Sequence, residues 1–457
     1  MIKNIECDKL EKKYLDKIIN DIRINRKNVS FQANKEVPLQ RLFKYKEGFS
    51  KEIINIFLDD AGLKDGIVLD PFAGSGTTGF VSQERGLDSI GIELLPVGNF
   101  AIKAQKLLYE ADSIELKRIF DKVKTIDFLN SEIDEQYKQQ HIPITEKAYP
   151  IETENKINAY LTYIEKNYEE TNKIILKYAL FTVLESISYT RKDGQYLRWD
   201  SRSGKTKGSF NKGKILTFEE ALFKKFDDML NDITLKKLSR TGTYNVIQGS
   251  SLFKLSEIDN ESIDAVISSP PYCNRYDYTR TYALELVFLG KSDEEIKLLR
   301  QSMLSCTVEN KSKRELLKKL YDKKERNNDY ENIESIYNEC RALQEVIKNL
   351  EILKSEGKLN NKNICDMVQN YFYEHAFIIY EMSRVLKKNG KIYYVNDNVR
   401  YGGEVIPVDL ILCEFAEKSG LHVKNIIKLE KGKGNSSQQM GEHGREEVRK
   451  CVYLWEK

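Results

Sequence analysis

Long apolar runs and an apolar leader are both missing from this sequence of 457 residues. No window approaches the ~18 consecutive apolar residues of a membrane span. The amino-terminal stretch "MIKNIECDKLEKKYLDKIINDIR" is charged throughout, which is typical of an amphipathic helix and not of a signal peptide. We therefore expect a cytoplasmic protein with no membrane partner.

Paired cysteines are missing as well. The seven cysteines are scattered and form no CxxC pair, and the four histidines are equally dispersed. This pattern fits reduced thiols in a cytosolic protein. It predicts no metal site and disfavours metal-dependent hydrolysis.

An excess of one charge sign is also absent, since 73 Lys and Arg residues face 70 Asp and Glu residues for a formal net charge of +3. The total charge therefore does not indicate a polyanionic partner, and the distribution of charge has to be considered instead. A hydrophobic content of 40% and a charged content of 31% are those of a globular chain. Its length is sufficient for about two or three domains.

Short runs rich in Val, Ile and Tyr alternate with helical stretches and predict an α/β fold with a largely parallel sheet. The predicted strands are "GIVLD", "LDSIGIE", "TYNVIQGS", "IDAVISS", "GKIYYVND", "VKNIIKLE" and "CVYLWEK". Two mainly helical insertions interrupt this alternation. The predicted division is a helical extension at 1–36, sheet-domain parts at 37–108, 244–290 and 366–457, and insertions at 109–243 and 291–365.

A glycine-rich turn follows the first predicted strand in "VLDPFAGSGTTGF". Gly74, Gly76 and Gly79 satisfy the GxGxxG pattern, and acidic Glu93 follows at the end of "SIGIE". Three interpretations are open: a tight turn without a ligand, a dinucleotide site or an S-adenosylmethionine site. Asp70 favours the last, because its carboxylate would repel a pyrophosphate but suits the ammonium and sulfonium cations of S-adenosylmethionine.

These motifs resemble those of DNA amino-methyltransferases, which methylate exocyclic amines of cytosine or adenine. The resemblance rests on "DPFAGSGTTG", "GIELLPVGNFAIKA" and the upstream segment "VPLQRLFKYKEGFSKEII". It implies a Rossmann-like sheet and S-adenosylmethionine as cofactor, with contacts from Asp70, Phe72, Gly74, Gly76, Thr77, Glu93, Tyr45 and Phe49. Ser250 stands where family members commonly place an acidic residue near the cofactor's adenine, so this contact departs from the family pattern.

The run "IDAVIS" ends in "SSPPY", which resembles the catalytic motif of the same family. An amine conjugated to its ring is a poor nucleophile, and fixed acceptors for its N–H groups favour tetrahedral geometry during transfer. The resemblance implies the Ser269 hydroxyl and the Pro270 carbonyl as acceptors, held by the rigid backbone of Pro270 and Pro271. Tyr272 would supply a face for a base extracted from the duplex. The alternative is an ordinary strand-ending turn, which the nearby glycine loop disfavours.

Two features bear on the chemistry at this motif. Enzymes that methylate carbon 5 of cytosine use a cysteine that directly follows a proline, whereas Tyr272 occupies that place here. We therefore interpret Cys273 as a packing residue. Ser269 at the first motif position favours cytosine N4 as the target, because adenine N6 enzymes of the family more often carry Asp or Asn there.

A basic segment from 191 to 214, with interleaved aromatic residues, is the first predicted DNA contact. Its predicted phosphate contacts are Arg191, Lys192, Arg198, Arg202, Lys205 and Lys207; the alternative is a solvated loop. The second is the segment "KGKGNSSQQMGEHGREEVRK", whose Asn435, Gln438 and Gln439 amides suit base edges. The insertion at 291–365 mixes both charge signs and is interpreted as a scaffold or clamp that does not read the DNA sequence.

The sequence therefore predicts a bacterial, restriction–modification type methyltransferase that acts on cytosine N4 in double-stranded DNA. A cognate restriction endonuclease is a further partner that the resemblance implies. Three alternatives stay open: methylation of adenine N6, methylation of an RNA amine, and a DNA-binding protein that has lost catalysis. The short segment ahead of the cofactor motifs disfavours the RNA enzyme.

Overall fold

The structure, a computed structural model, describes residues 4–46, 48–193, 196–235, 239–430 and 447–457. In chain order its strands are β1 (Ile18–Ile19), β2 (Ile67–Asp70), β3 (Asp88–Glu93), β4 (Thr190–Asp193), β5 (Tyr196–Trp199), β6 (Tyr244–Gln248), β7 (Ile263–Ser268), β8 (Leu386–Asp397), β9 (Val399–Tyr401), β10 (Glu404–Ile406), β11 (His422–Lys428) and β12 (Lys450–Glu456). All seven predicted strands are present, as β2, β3, β6, β7, β8, β11 and β12.

Helices occupy both the sheet domain and the two insertions. They are α1 (Ile5–Tyr14), α2 (Lys51–Ala61), α3 (Thr77–Glu84), α4 (Pro96–Glu110), α5 (Ser113–Lys124), α6 (Ile151–Asn167), α7 (Glu170–Phe181), α8 (Phe218–Leu235), α9 (Ser251–Lys254), α10 (Tyr278–Thr281), α11 (Ala283–Phe288), α12 (Asp293–Ser302), α13 (Arg314–Lys323), α14 (Asn327–Asn338), α15 (Arg341–Ser355), α16 (Ile364–Val385) and α17 (Val408–Lys418). Across the described ranges, none of them combines the length and apolarity needed to span a bilayer.

The central sheet, as far as the described residues define it, has eight strands in the order β1-β11-β12-β8-β7-β2-β3-β6. The strands from β6 to β8 are parallel, whereas β12 runs antiparallel to both β8 and β11. The chain builds β3 and β6 on one side of β2 and then places β7 on the other side. Ligands of open α/β sheets bind where the strand order reverses in this way. The predicted Rossmann-like α/β fold is confirmed.

Alternate residues of the central strands face opposite layers of helices. Val68 of β2 and Ile267 of β7 pack on the side of α2, where the Phe57 ring stacks on Tyr393 with centroids 4.5 Å apart. Leu69 and its neighbours on adjacent strands face the side of α16. Strands covered on both faces read as nearly continuous apolar runs, which is why β7 is recognisable in the sequence.

The first insertion contains α5 to α8 and an antiparallel hairpin of β4 and β5. It packs on α4 of the sheet domain and has an aromatic interior, in which Phe120 stacks on Phe226 at 4.1 Å. The polar 191–214 segment is therefore partly a folded hairpin. Its alternation was not interpreted as a strand, because its side chains are charged on both faces.

The second insertion contains α12 to α15 and packs against α16. The amino-terminal extension is joined to it, since Glu345 Oε2 accepts the backbone N–H groups of Glu6 and Cys7 at 2.9 Å each. The extension is not only helical: β1 pairs in parallel with β11, with Ile18 opposite Ile426. The division into domains stays a prediction.

Candidate active site

A cavity open to solvent lies at the carboxyl ends of β2 and β7, where the strand order reverses. It brings together the glycine loop after β2, the end of β3 and the proline motif after β7. Its lining residues are Tyr45, Lys46, Gly48, Phe49, Asp70, Pro71, Phe72, Ala73, Gly74, Ser75, Thr77, Ile92, Glu93, Leu94, Leu95, Ser250, Ser251, Ser269, Pro271, Tyr278, Met303 and Leu304. Every predicted cofactor residue except Gly76 is therefore placed on one wall or another of this cavity.

Asp70 ends β2 and is buried at the cavity wall. Its Oδ1 accepts hydrogen bonds from the Ser268 hydroxyl at 2.6 Å and the Phe72 N–H at 3.0 Å, and its Oδ2 accepts one from the Thr78 hydroxyl at 2.7 Å. Burial raises the pKa of this carboxyl to about 6, against the opposing effect of these donors. Asp70 thus shapes the glycine loop and places negative charge at the cavity.

Glu93 ends β3 on the neighbouring strand and is also buried. Its Oε2 accepts the Gly74 N–H at 2.7 Å, and its Oε1 accepts the Leu95 N–H at 2.6 Å. Burial raises the pKa of Glu93 to about 8, although both of these N–H groups favour the charged form. A carboxylate has about four lone-pair sites, so the two oxygens retain capacity for donors from a ligand.

The glycine loop approaches its neighbours too closely for side chains. Gly74 has φ +56°, and a Cβ placed on it would lie 3.0 Å from the Tyr45 ring. A Cβ on Gly98 in the first turn of α4 would lie 2.3 Å from the Gly74 carbonyl oxygen. Glycine at these positions therefore lets the loop, the tyrosine and the helix meet around Glu93. Gly76 has φ +87° and begins α3 without lining the cavity.

The cavity also has an aromatic wall, formed by Tyr45, Phe49 and Phe72. Tyr45 is buried, lines the cavity and stacks on Tyr282 with ring centroids 5.1 Å apart and an interplanar angle of 16°. The Tyr282 hydroxyl accepts the Lys46 N–H at 2.6 Å, which fixes the chain directly after Tyr45. Phe49 and Phe72 line the same cavity. The cavity thus combines buried carboxylates with aromatic faces.

Ser269 and Pro271 line this cavity together with Gly74, so the proline motif and the glycine loop meet at it. The Ser269 hydroxyl lies 3.1 Å from the Tyr272 hydroxyl and 3.4 Å from the Val395 carbonyl oxygen, to which it donates. Pro270 is buried and, unlike Pro271, does not line the cavity.

The expectation that Tyr272 offers an open face to a base is wrong for this structure. Its side chain is buried at 8% exposure, and it is not among the described residues that line the cavity. Its hydroxyl lies 3.1 Å from the Ser269 hydroxyl instead, which keeps the ring beside its own motif. Cys273 is fully buried, and burial raises its thiol pKa well above the ordinary value, which agrees with its interpretation as a packing residue.

Several residues at the cavity or directly behind it were missed by the sequence analysis. Ser268 and Thr78 do not line the cavity but hold Asp70, although both look like ordinary small residues in the sequence. Tyr278 lines the cavity where Tyr272 does not, and Met303 and Leu304 reach it from the second insertion, which the sequence analysis interprets as a scaffold or clamp. Their position depends on how the insertion folds back on the sheet, and no local pattern signals it.

The predicted DNA contacts divide into four groups, of which Lys192 alone forms the last. Arg191, Arg198 and Lys207 are exposed; Arg191 lies opposite Arg198 on the hairpin, and Arg198 forms an ion pair with Asp193. Arg202 and Lys205 are exposed too; Arg202 forms an ion pair with Asp200, and Lys205 donates to backbone carbonyl groups that precede it in the chain. The residues Asn435, Gln438 and Gln439 lie outside the described part of the chain.

Lys192 is the one described residue of this segment whose predicted contact with a phosphate does not hold. Its side chain is 5% exposed and forms an ion pair with Glu285, so it cannot reach a phosphate. Strand geometry explains this: neighbouring side chains point to opposite faces, and Lys192 faces inward between outward-facing neighbours. The contact with DNA predicted for Lys192 is therefore wrong.

The comparisons with known proteins agree with this geometry. A family model described as "DNA methylase" matches residues 4–97, which include the aromatic wall, the glycine loop and Glu93. The chain is 41% identical to the Type II methyltransferase M.BsoBI of Geobacillus stearothermophilus, covering 99% of this chain and 92% of that protein. It is 44% identical to the Type II methyltransferase M.AvaI of Nostoc sp., covering 98% and 92%. The Type II methyltransferase M.MjaII of Methanocaldococcus jannaschii is 23% identical over 55% of this chain and 62% of that protein.

Proposed function

Because this chain belongs to the DNA amino-methyltransferases of restriction–modification type, we propose that it transfers a methyl group from S-adenosylmethionine to the N4 amine of cytosine in double-stranded DNA. The observation that carries this proposal is the shared cavity. Ser269 and Pro271 line the same space as Asp70, Gly74 and Glu93, so an amine and a methyl donor can be held side by side.

The donor residues of the cavity fit S-adenosylmethionine. Asp70 and Glu93 supply buried negative charge for a ligand that carries an ammonium and a sulfonium, and Glu93 retains lone pairs for ribose hydroxyls. Tyr45, Phe49 and Phe72 supply apolar faces. When bound, this cofactor supplies a methyl group activated by the positive charge on its sulfur.

The proline motif would act on the amine. The Ser269 hydroxyl can accept one amine N–H while its own proton is donated to Val395 or Tyr272. The Pro270 carbonyl is the proposed second acceptor. Pro270 and Pro271 carry no N–H and have a restricted φ, so the backbone that holds these acceptors is rigid. Acceptors fixed before the reaction favour the tetrahedral nitrogen of the transition state without reorganisation.

Cytosine N4 is preferred to adenine N6 because Ser269 stands at the first motif position, where adenine N6 enzymes of the family more often carry Asp or Asn. Adenine N6 remains the second candidate, since either group can accept from an amine. We expect digested DNA to contain N4-methyl-2′-deoxycytidine after unmethylated plasmid DNA is incubated with the protein and methyl-labelled S-adenosylmethionine. Chromatography with mass detection separates this nucleoside from N6-methyl-2′-deoxyadenosine, which would favour the second candidate. Finding no labelled nucleoside would favour a protein that has lost catalysis.

The hairpin of β4 and β5 is the proposed DNA contact, because Arg191 and Arg198 are paired on its exposed surface and Lys207 follows nearby in the chain. Replacing all three with alanine should make the plot of log binding constant against log salt concentration less steep. The slope should change by about 0.9 for each phosphate that is no longer neutralised. Fluorescence anisotropy with a labelled duplex at several salt concentrations measures this slope.

A matched control for the hairpin replaces the exposed lysines of α1, namely Lys9, Lys12 and Lys13, with alanine. This change removes the same charge from a helix that contributes nothing to the cavity lining, so the slope should stay at the wild-type value. If both variants and the wild type have equal salt slopes, the hairpin does not contact the DNA backbone and the proposal is wrong.

A further inference from the structure

A buried ion pair connects the first insertion to the sheet domain beside the cavity. Lys192 of β4 and Glu285 of α11 form this pair, and their side chains are 5% and 2% exposed. The backbone is tied as well, since the Lys192 N–H donates to Glu185 at 3.0 Å and the Lys46 ammonium donates to the Lys192 carbonyl at 3.1 Å. The inner face of the hairpin is therefore anchored at a defined place.

The Lys192 ammonium also contacts two aromatic rings that pack against the cavity-lining Tyr45. It lies 4.5 Å from the centroid of the Tyr282 ring and 5.6 Å from that of Phe43. Tyr282 in turn stacks on Tyr45, and Tyr45 lines the cavity against the glycine loop. An unbroken series of contacts thus runs from the hairpin that carries Arg191 and Arg198 to the cavity.

We propose that Lys192 is a positioning residue for the cofactor: its ammonium, held by Glu285, fixes Tyr282 and through it the Tyr45 ring that lines the cavity. This inference rests on the proposed function, because it takes the cavity to be the S-adenosylmethionine site. It gives the hairpin two roles on opposite faces, with outward cations for DNA and one inward cation for the cofactor wall.

Physical chemistry favours a role of this kind over a purely stabilising one. Removing two charges from water is costly, and buried ion pairs are often no better for stability than apolar residues of the same size. A cation over an aromatic face is attracted by the ring, most strongly when both are desolvated as they are here. The pair therefore contributes a defined ring position more than folding free energy.

The test is the double variant Lys192→Met/Glu285→Gln, which removes both charges and conserves side-chain volume. We expect the dissociation constant of S-adenosylhomocysteine, measured by calorimetry, to rise about tenfold. The midpoint of thermal unfolding without ligand should stay near the wild-type value. At saturating S-adenosylmethionine, kcat should change much less than KM for the cofactor, because the SPPY motif is untouched.

A matched control is Arg326→Met/Glu381→Gln, which makes the same change at a pair between the second insertion and α16. Its side chains are 19% and 2% exposed, and neither residue lines the cavity. Cofactor affinity should be unaltered in this control. The single variant Lys192→Arg retains the cation, so its affinity for S-adenosylhomocysteine should be closer to that of the wild type than to that of the double variant.

Three results would have distinct meanings. A wild-type protein that binds no S-adenosylhomocysteine would overturn the proposed function of the cavity. A wild-type protein that binds it, with a double variant of equal affinity, would overturn only the role of Lys192. If the double variant does not fold, Tyr282→Leu leaves the ion pair intact and removes the ring between Lys192 and Tyr45. Wild-type cofactor affinity in that variant would equally overturn the inference.

Discussion

Replacing Ser269 with alanine is expected to lower kcat for methyl transfer by a factor of about 10² to 10³, while the affinity for S-adenosylmethionine stays close to that of the wild type. The hydroxyl lies on the cavity wall beside Pro271 and is the proposed acceptor for the target amine. Without it, the amine has no partner for a hydrogen bond that strengthens as the nitrogen becomes tetrahedral. The fold depends little on this hydroxyl, since it donates to the Val395 carbonyl over 3.4 Å.

Single-turnover rates with labelled donor and unmethylated plasmid DNA measure the chemical step, and calorimetry measures cofactor affinity. The adjacent Ser268→Ala is a matched control, because that hydroxyl donates to Asp70 at 2.6 Å and does not line the cavity. We expect Ser268→Ala to weaken cofactor binding more than the rate at saturation. Equal losses of rate and affinity in Ser269→Ala would show that Ser269 supports the fold of the loop only.

Replacing Asp70 with alanine is expected to weaken S-adenosylmethionine binding by about a hundredfold, equivalent to about 2.7 kcal/mol at 1.36 kcal/mol for each factor of ten. Two effects combine in this variant. The cavity loses a buried negative charge suited to a cationic ligand, and the Ser268 and Thr78 hydroxyls lose their shared acceptor. Asp70→Asn retains an acceptor for one of these two hydroxyls but removes the charge. Its affinity for S-adenosylmethionine should therefore lie between that of the wild type and that of Asp70→Ala.

The pH dependence of cofactor binding separates the charge from the shape of the loop. Burial raises the pKa of Asp70 from 3.8 to about 6 and that of Glu93 from 4.5 to about 8. Without ligand, both carboxyls therefore favour the folded state most at low pH, and this contribution is lost as the pH rises through those values. A cationic ligand favours the charged carboxylates, so affinity should increase between pH 6 and pH 8.

Calorimetry in buffers of different ionisation enthalpy should detect proton release on binding in this interval. Asp70→Asn should retain the part of the pH dependence that belongs to Glu93. A wild-type affinity that is constant from pH 6 to pH 8 would contradict the assignment of these carboxylates to the cations of the cofactor.

The sheet and its two loops could be predicted from the sequence because their signals are local. Strand β7 is a continuous apolar run, since both of its faces are covered, and it ends where prolines remove the backbone donors. The glycine loop is recognisable because close approach of Gly74 to Tyr45 excludes a side chain. Ser269 and Gly74 share one cavity because parallel strands present their carboxyl ends at the same edge of the sheet.

The parts that could not be predicted depend on tertiary packing. In the basic hairpin, Arg191 and Lys192 are equally cationic in the sequence, yet only the fold decides which of them faces water and which faces Glu285. The Tyr272 ring is buried beside Ser269, and Met303 reaches the cavity only because the second insertion returns to the sheet. Residue type and spacing carry no information on these placements.

The position of β12 has a consequence for how the chain is made. Translation produces this segment after both strands with which it pairs, yet it lies between β8 and β11 in the sheet. On the ribosome, β8 and β11 therefore cannot be joined in one sheet until β12 has been made. The pairing of β1 with β11, which lie near opposite ends of the described chain, raises the contact order and slows folding. Nascent chains halted before this segment should accordingly expose unpaired strand edges and require chaperones.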